Sequence, residues 1–126
     1  MTAPETLAAA LALSLLAAPA LAGEPAVTAA VATQGPDGTW TFAVTVAHAD
    51  EGWDHYADAF TIETPDGAEL GRRVLRHPHV DEQPFTRALR GVTVPEGTWA
   101  VFVRAHDSVH GAGAAVSVAL AGGEPR

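Results

Sequence analysis

The sequence predicts an all-β chain built as one antiparallel sandwich, and three observations carry that expectation. Apolar and polar residues alternate with a period of two over nearly all of the chain beyond residue 22, the mark of half-buried strands, and no stripe of helical period interrupts them. Short clusters of Gly, Pro, Asp and Ser separate the alternating runs, as turns between strands require. The 126 residues, 48% hydrophobic and 17% charged, suffice for one core and one domain.

The first element is expected to be processing rather than fold. Leu7 to Ala22 reads LAAALALSLLAAPALA, an apolar run of h-region length that closes in Ala20-Leu21-Ala22, an A-x-A-like cleavage pattern. Residues 1–22 therefore read as a signal peptide cut before Gly23, and residues 23–126 as the mature domain, periplasmic or secreted. The run is too short for a membrane span, and no Cys follows to take a lipid.

Seven strands are expected after it: Ala26 to Ala32, Thr39 to His48, His55 to Glu63, Glu69 to Arg76, Pro84 to Val94, Trp99 to Asp107 and Ala114 to Leu120. Parity assigns the inward faces. Trp40, Phe42, Val44 and Val46 line the second strand, Phe60 and Ile62 the third, Val101, Val103 and Ala105 the sixth, and Val116, Val118 and Leu120 the last. Arg72-Arg73-Val74-Leu75-Arg76 reads as a solvated edge strand.

Seven short strands in about 100 residues are the inventory of an immunoglobulin-type sandwich. The run from Pro95-Glu96-Gly97-Thr98-Trp99 through Val101, Val103 and Ala105 to Asp107 resembles the sixth strand of fibronectin type III and bacterial immunoglobulin-like domains. In that family a tight turn precedes a corner aromatic, and alternating small apolar residues follow; Trp99 stands where Tyr is usual. Two further strings, HADEGWDHYAD from His48 and HPHVDEQPFTR from His77, resemble those of small exported bacterial proteins with no assigned activity.

In such a sandwich successive connections alternate between the two poles. One set of loops holds plain turn-formers: Gln34 to Gly38, Thr64 to Gly67 and Pro95 to Gly97. The other set, Ala49 to Asp54, His77 to Gln83 and Ser108 to Gly113, carries or adjoins all six His: His48, His55, His77, His79, His106 and His110. Parity also turns His48, Asp58, Arg87 and Asp107 inward there, and Arg87 is expected to pair with Asp58 or Asp107, since a buried charge without a partner costs several kcal/mol. These polar groups serve either as a structural plug or, with Asp50 and Asp54, as carboxylates that orient imidazoles.

Composition narrows the chemistry. A formal charge of −8, with no Lys and no basic stripe, argues against nucleic acid. Zero Cys and a single Met at position 1 remove thiolate zinc sites and thioether copper(I) sites. Six His and nearby acids favour copper(II), zinc or nickel, of which copper(II) or zinc is the expectation. His77-Pro78-His79 is the sharpest short motif, because an extended His-Pro-His places both rings on one side. Trp53 is expected to lie over its loop as a lid on the core. His106-Asp107-Ser108-Val109-His110 crowds triad residue types onto one loop without supplying triad geometry, so no catalytic residue is assigned. Two functions follow as expectations: an exported domain that binds a divalent transition metal at its His-rich pole for storage, sensing or delivery, or a non-catalytic module whose pole is a structural network facing a protein partner.

Overall fold

The computed structural model describes residues 24–120, so the signal-peptide segment and its cleavage point lie outside the described residues. Eight strands are present among them: β1 (Ala26–Gln34), β2 (Trp40–Ala47), β3 (Ala57–Glu63), β4 (Glu69–Val74), β5 (Phe85–Val92), β6 (Ala100–Asp107), β7 (Gly111–Ala112) and β8 (Val116–Ala119). They form two antiparallel sheets, one ordered β1-β2-β5 and the other β4-β3-β6-β7, with β8 also paired to β6. No helix is present among the described residues.

The alternation that marks β2 in the sequence is what buries one of its faces. Phe42, Val44 and Val46 are fully buried and Trp40 nearly so, while the residues between them are partly exposed. Across the sheet interface they meet Phe60 and Ile62 of β3 and Val101, Val103 and Ala105 of β6, all fully buried. Each large side chain removed from water in this way contributes about 1.5–3 kcal/mol. Val118 and Leu120 close the core, and Val116 packs at its margin.

Three features differ from the sequence reading. The expected seventh strand, Ala114 to Leu120, is shortened to Val116–Ala119, and the loop before it carries an additional two-residue strand, Gly111–Ala112, where Gly111 takes a positive φ of 82° after a tight turn and Gly113 lies where a Cβ would run into the Pro25 carbonyl. The register of β3 against β6 slips between Ala57 and Ala59, and such an extra residue exchanges the faces beyond it. Ala57 therefore enters the core and Asp58 turns to the outer face, 27% exposed, against the inward position that strict parity gives it. Trp53 is 66% exposed and stands edge-on to Tyr56 at 5.5 Å instead of covering the core. Trp99 is likewise exposed, just before β6 begins.

Candidate metal centre at the histidine-bearing pole

The loops carrying the His residues do come together at one end of the two sheets. Asp50, in the β2–β3 loop, is buried and accepts the backbone N–H of His79 from the β4–β5 loop at 2.6 Å and that of Ala57 at 3.0 Å. Gln83 ties the same loops, accepting His48 N–H at 2.9 Å and donating to His79 O at 2.8 Å. Ser108, after β6, accepts Tyr56 N–H through its hydroxyl and donates its own N–H to Tyr56 O.

At the centre stands Asp107, the last residue of β6 and fully buried. Its Oδ1 caps the turn that follows, accepting the backbone N–H groups of Val109 at 2.8 Å and of His110. That leaves Oδ2 facing three imidazoles: His48 Nε2 at 3.0 Å, His55 Nε2 at 3.2 Å and His110 Nδ1 at 3.0 Å. Burial works to raise the Asp107 pKa but is outweighed by the His110 and Val109 N–H groups and the imidazoles, which hold the carboxyl well below the usual carboxylate range.

The far side of each inner ring meets another acid. His48 Nδ1 lies 2.5 Å from Asp50 Oδ1, and His55 Nδ1 lies 2.9 Å from Glu51 Oε1. A tight turn makes the second pair local: Gly52 takes φ 112°, His55 N–H reaches Gly52 O, and Glu51 N–H reaches His55 O. Each of these two rings therefore has a carboxylate oxygen near both of its nitrogens, with both Nε2 atoms facing Asp107 Oδ2, an arrangement that N–H donation to the acids or a shared metal ion at the Nε2 atoms satisfies.

The donor atoms of His48, His55 and Asp107 all lie within 4.8 Å of one another. Four ligands about 2.0–2.1 Å from a tetrahedral ion stand about 3.3 Å apart, close to the N-to-O spacings found here. This buried group can hold a metal ion, and the same contacts can equally serve as a structural network.

The remaining candidates take other places. His106 faces outward and pairs with Asp58 at 2.6 Å, both partly exposed. Asp54 is exposed and makes no hydrogen bond among the described residues. Arg87 pairs with neither Asp58 nor Asp107. Its long side chain leaves the β5 face and carries the guanidinium outward to Glu82 at 3.3 Å, Thr86 O at 2.7 Å and His79 Nε2 at 3.1 Å.

His77 and His79 do lie side by side, ring centroids 4.6 Å apart, yet they stand outside the group of three. His77 is exposed, while His79 is buried and stacked on Phe85 at 3.9 Å. Burial and the adjacent Arg87 guanidinium push the His79 pKa down, and the same positive charge opposes a metal ion there. Glu51, the partner of His55, is not legible in the sequence as an orienting group; its signal there is its place three residues before Asp54 and four before His55 in a Gly-containing loop. The role of Asp107 also changes, from an orienting group to a candidate ligand.

Acid titration follows from the Asp107 environment. A carboxyl whose folded pKa lies below its unfolded value of 3.8 stabilises the fold fully above that value and loses the contribution as pH falls below it. The stability difference between wild type and Asp107→Asn is therefore expected to shrink as pH falls below about 4, as read by urea melts at stepped pH. A difference that grows on acidification would contradict the buried, hydrogen-bonded carboxylate.

Comparison with known proteins adds one relative. Over 72 residues, 57% of this chain, it is 51% identical to a protein of Halomicrobium mukohataei named "Putative lipoprotein". The match spans 35% of that protein's length. No family model, fibronectin type III and immunoglobulin-like domains included, matches the chain, and no solved structure matches it. Among the described residues no helix is long and apolar enough to cross a membrane.

Proposed function

We propose that the chain is an exported immunoglobulin-like domain that binds one divalent transition metal, copper(II) or zinc, at the His48–His55–Asp107 pole. The observation that carries this reading is the orientation of the two inner rings: each sets Nδ1 against a carboxylate and turns Nε2 to the same buried Asp107 oxygen. Carboxylate–histidine–metal arrangements are built in this way. His48 Nε2, His55 Nε2 and the Asp107 carboxylate are the ligands, Asp50 and Glu51 fix the rings, and His110 or solvent completes the set. The absence of Cys and of an internal Met favours copper(II) or zinc over copper(I). Storage, sensing or delivery suits a site with few exposed ligands better than turnover does.

Export is supported by the Leu7 to Ala22 run and by the name of the relative. The immunoglobulin-like reading is supported by the strand order, in which the first, second and fifth strands share one sheet and the third, sixth and last share the other.

A second reading has its own support. Asp107 is satisfied by two backbone N–H groups without any ion, and Trp53 and Val80 are exposed near the pole, as a protein-binding module would present them. Melting the chelator-treated protein with and without metal separates the two. A metal that binds the folded state at 100 times its Kd adds about 2.7 kcal/mol, which raises Tm by about 10 °C or more in a domain of this size. That rise, reversed by EDTA, is expected with zinc or copper(II). No rise with either favours the structural network.

A further inference from the structure

A second polar feature lies outside the His48–His55–Asp107 group. Arg72, Arg73, Arg76 and Arg87 line one pocket of about 470 Å³ between the end of β4, the loop after it and β5, with His77 and His79 at its margin. These are four of the seven basic residues in a chain of formal charge −8, so the acidic surface is interrupted here by a concentrated positive field.

The internal pairing of these groups is incomplete. Arg72 is offset by Glu69 at 3.1 Å and Arg87 by Glu82 at 3.3 Å. Arg73 donates to the carbonyl of Ala88 but has no acidic partner among the described residues, and Arg76 has none either. Two guanidinium charges are thus left without a counter-charge.

The buried donors point the same way. Among the described residues, two buried side-chain nitrogens lack a hydrogen-bond partner, Arg73 Nε and His79 Nδ1, and both residues line this pocket. His79 Nε2 accepts from Arg87, so its Nδ1 carries the hydrogen, and it lies 4.0 Å from the buried Asp50 carboxylate, which leaves Arg73 Nε as the donor open to a ligand. A buried donor without an acceptor costs about 1–3 kcal/mol, which an acceptor-rich ligand would recover.

We propose that this pocket binds a compact dianionic oxyanion, namely phosphate, free or as a monoester. Two uncompensated guanidiniums match its charge, and the planar Arg fork fits its oxygens in pairs. The pocket shares no residue with the His48–His55–Asp107 group and does not depend on the metal reading.

Calorimetric titration of the protein in EDTA, at low salt, with inorganic phosphate, sulfate, glycerol phosphate and succinate tests this. Saturable one-to-one binding of phosphate is expected, weakened about tenfold or more by Arg76→Gln and by Arg73→Gln. Arg76 is exposed, so its variant folds even if Arg73→Gln does not. Arg90→Gln, an exposed arginine outside the pocket, and His55→Ala are expected to bind phosphate as wild type does. Tighter binding of glycerol phosphate assigns the site to a monoester, and equal binding assigns it to the free ion. Preference for succinate, no saturation by about 10 mM phosphate, or equal weakening by Arg76→Gln and Arg90→Gln would overturn the proposal.

Discussion

Asp107→Ala is expected to lower the stability of the metal-free protein by about 3–5 kcal/mol and its Tm by about 15 °C or more. The substitution deletes the acceptor of two backbone N–H groups in the turn after β6, at a residue that is fully buried. It also leaves His48, whose side chain is fully buried, facing an empty space where its anionic partner stood. Asp107→Asn keeps an oxygen for the turn but loses the charge, so an intermediate loss is expected. Asp58→Ala is the control. That carboxylate also contacts an imidazole, but on the outer face, where solvent screens the pair, and about 1 kcal/mol or less is expected. Denaturant melts of the three variants check the order, and equal losses for Asp107→Ala and Asp58→Ala would show that burial does not decide it.

Much of this framework is legible in the sequence because it rests on periodicity. The run from Trp40 to Val46 alternates so regularly that only one face can be buried, and parity then carries His48 to the interior at the end of the strand. Asp107 follows from Val103 and Ala105 in the same way. Alternation of loops between the poles likewise brings His48, His55 and His110 to one end.

Parity fails where the backbone departs from two residues per repeat. The slip between Ala57 and Ala59 sends Asp58 outward, and no residue type in Tyr56-Ala57-Asp58-Ala59 announces it. His77-Pro78-His79 stands outside the group of three for another reason. Pro78 sets the local extension, but the position of His79 is fixed from elsewhere, by Asp50 accepting its N–H and by Phe85 under its ring. A guanidinium from β5, that of Arg87, then lies 3.1 Å from His79 Nε2. Side-chain partners more than a few residues apart, such as Arg87 with Glu82 and His79, depend on loop paths that spacing does not encode.

The second large effect concerns the metal itself. His48→Ala and His55→Ala each remove a nitrogen aimed at Asp107, and each is expected to weaken zinc or copper(II) binding at least 100-fold, since the two remaining donors make a poor site. Asp50→Asn and Glu51→Gln leave the ligands in place and disturb only what holds the rings. Losses of about 10–100-fold are expected for them, larger for Asp50, which is buried and also anchors Ala57 and His79. His77→Ala is expected to bind as wild type does, because its ring lies outside the group.

The most direct measurement is calorimetric titration of the chelator-treated protein with zinc and with copper(II), run alongside His55→Ala and His77→Ala. His55 is partly exposed at the edge of the group, so its loss tests ligation with less damage to the core than His48→Ala. One ion bound per chain, with affinity abolished by His55→Ala and retained by His77→Ala, is the predicted result. No binding tighter than that of exposed histidines, or binding lost with His77→Ala and kept with His55→Ala, would contradict the metal centre at Asp107.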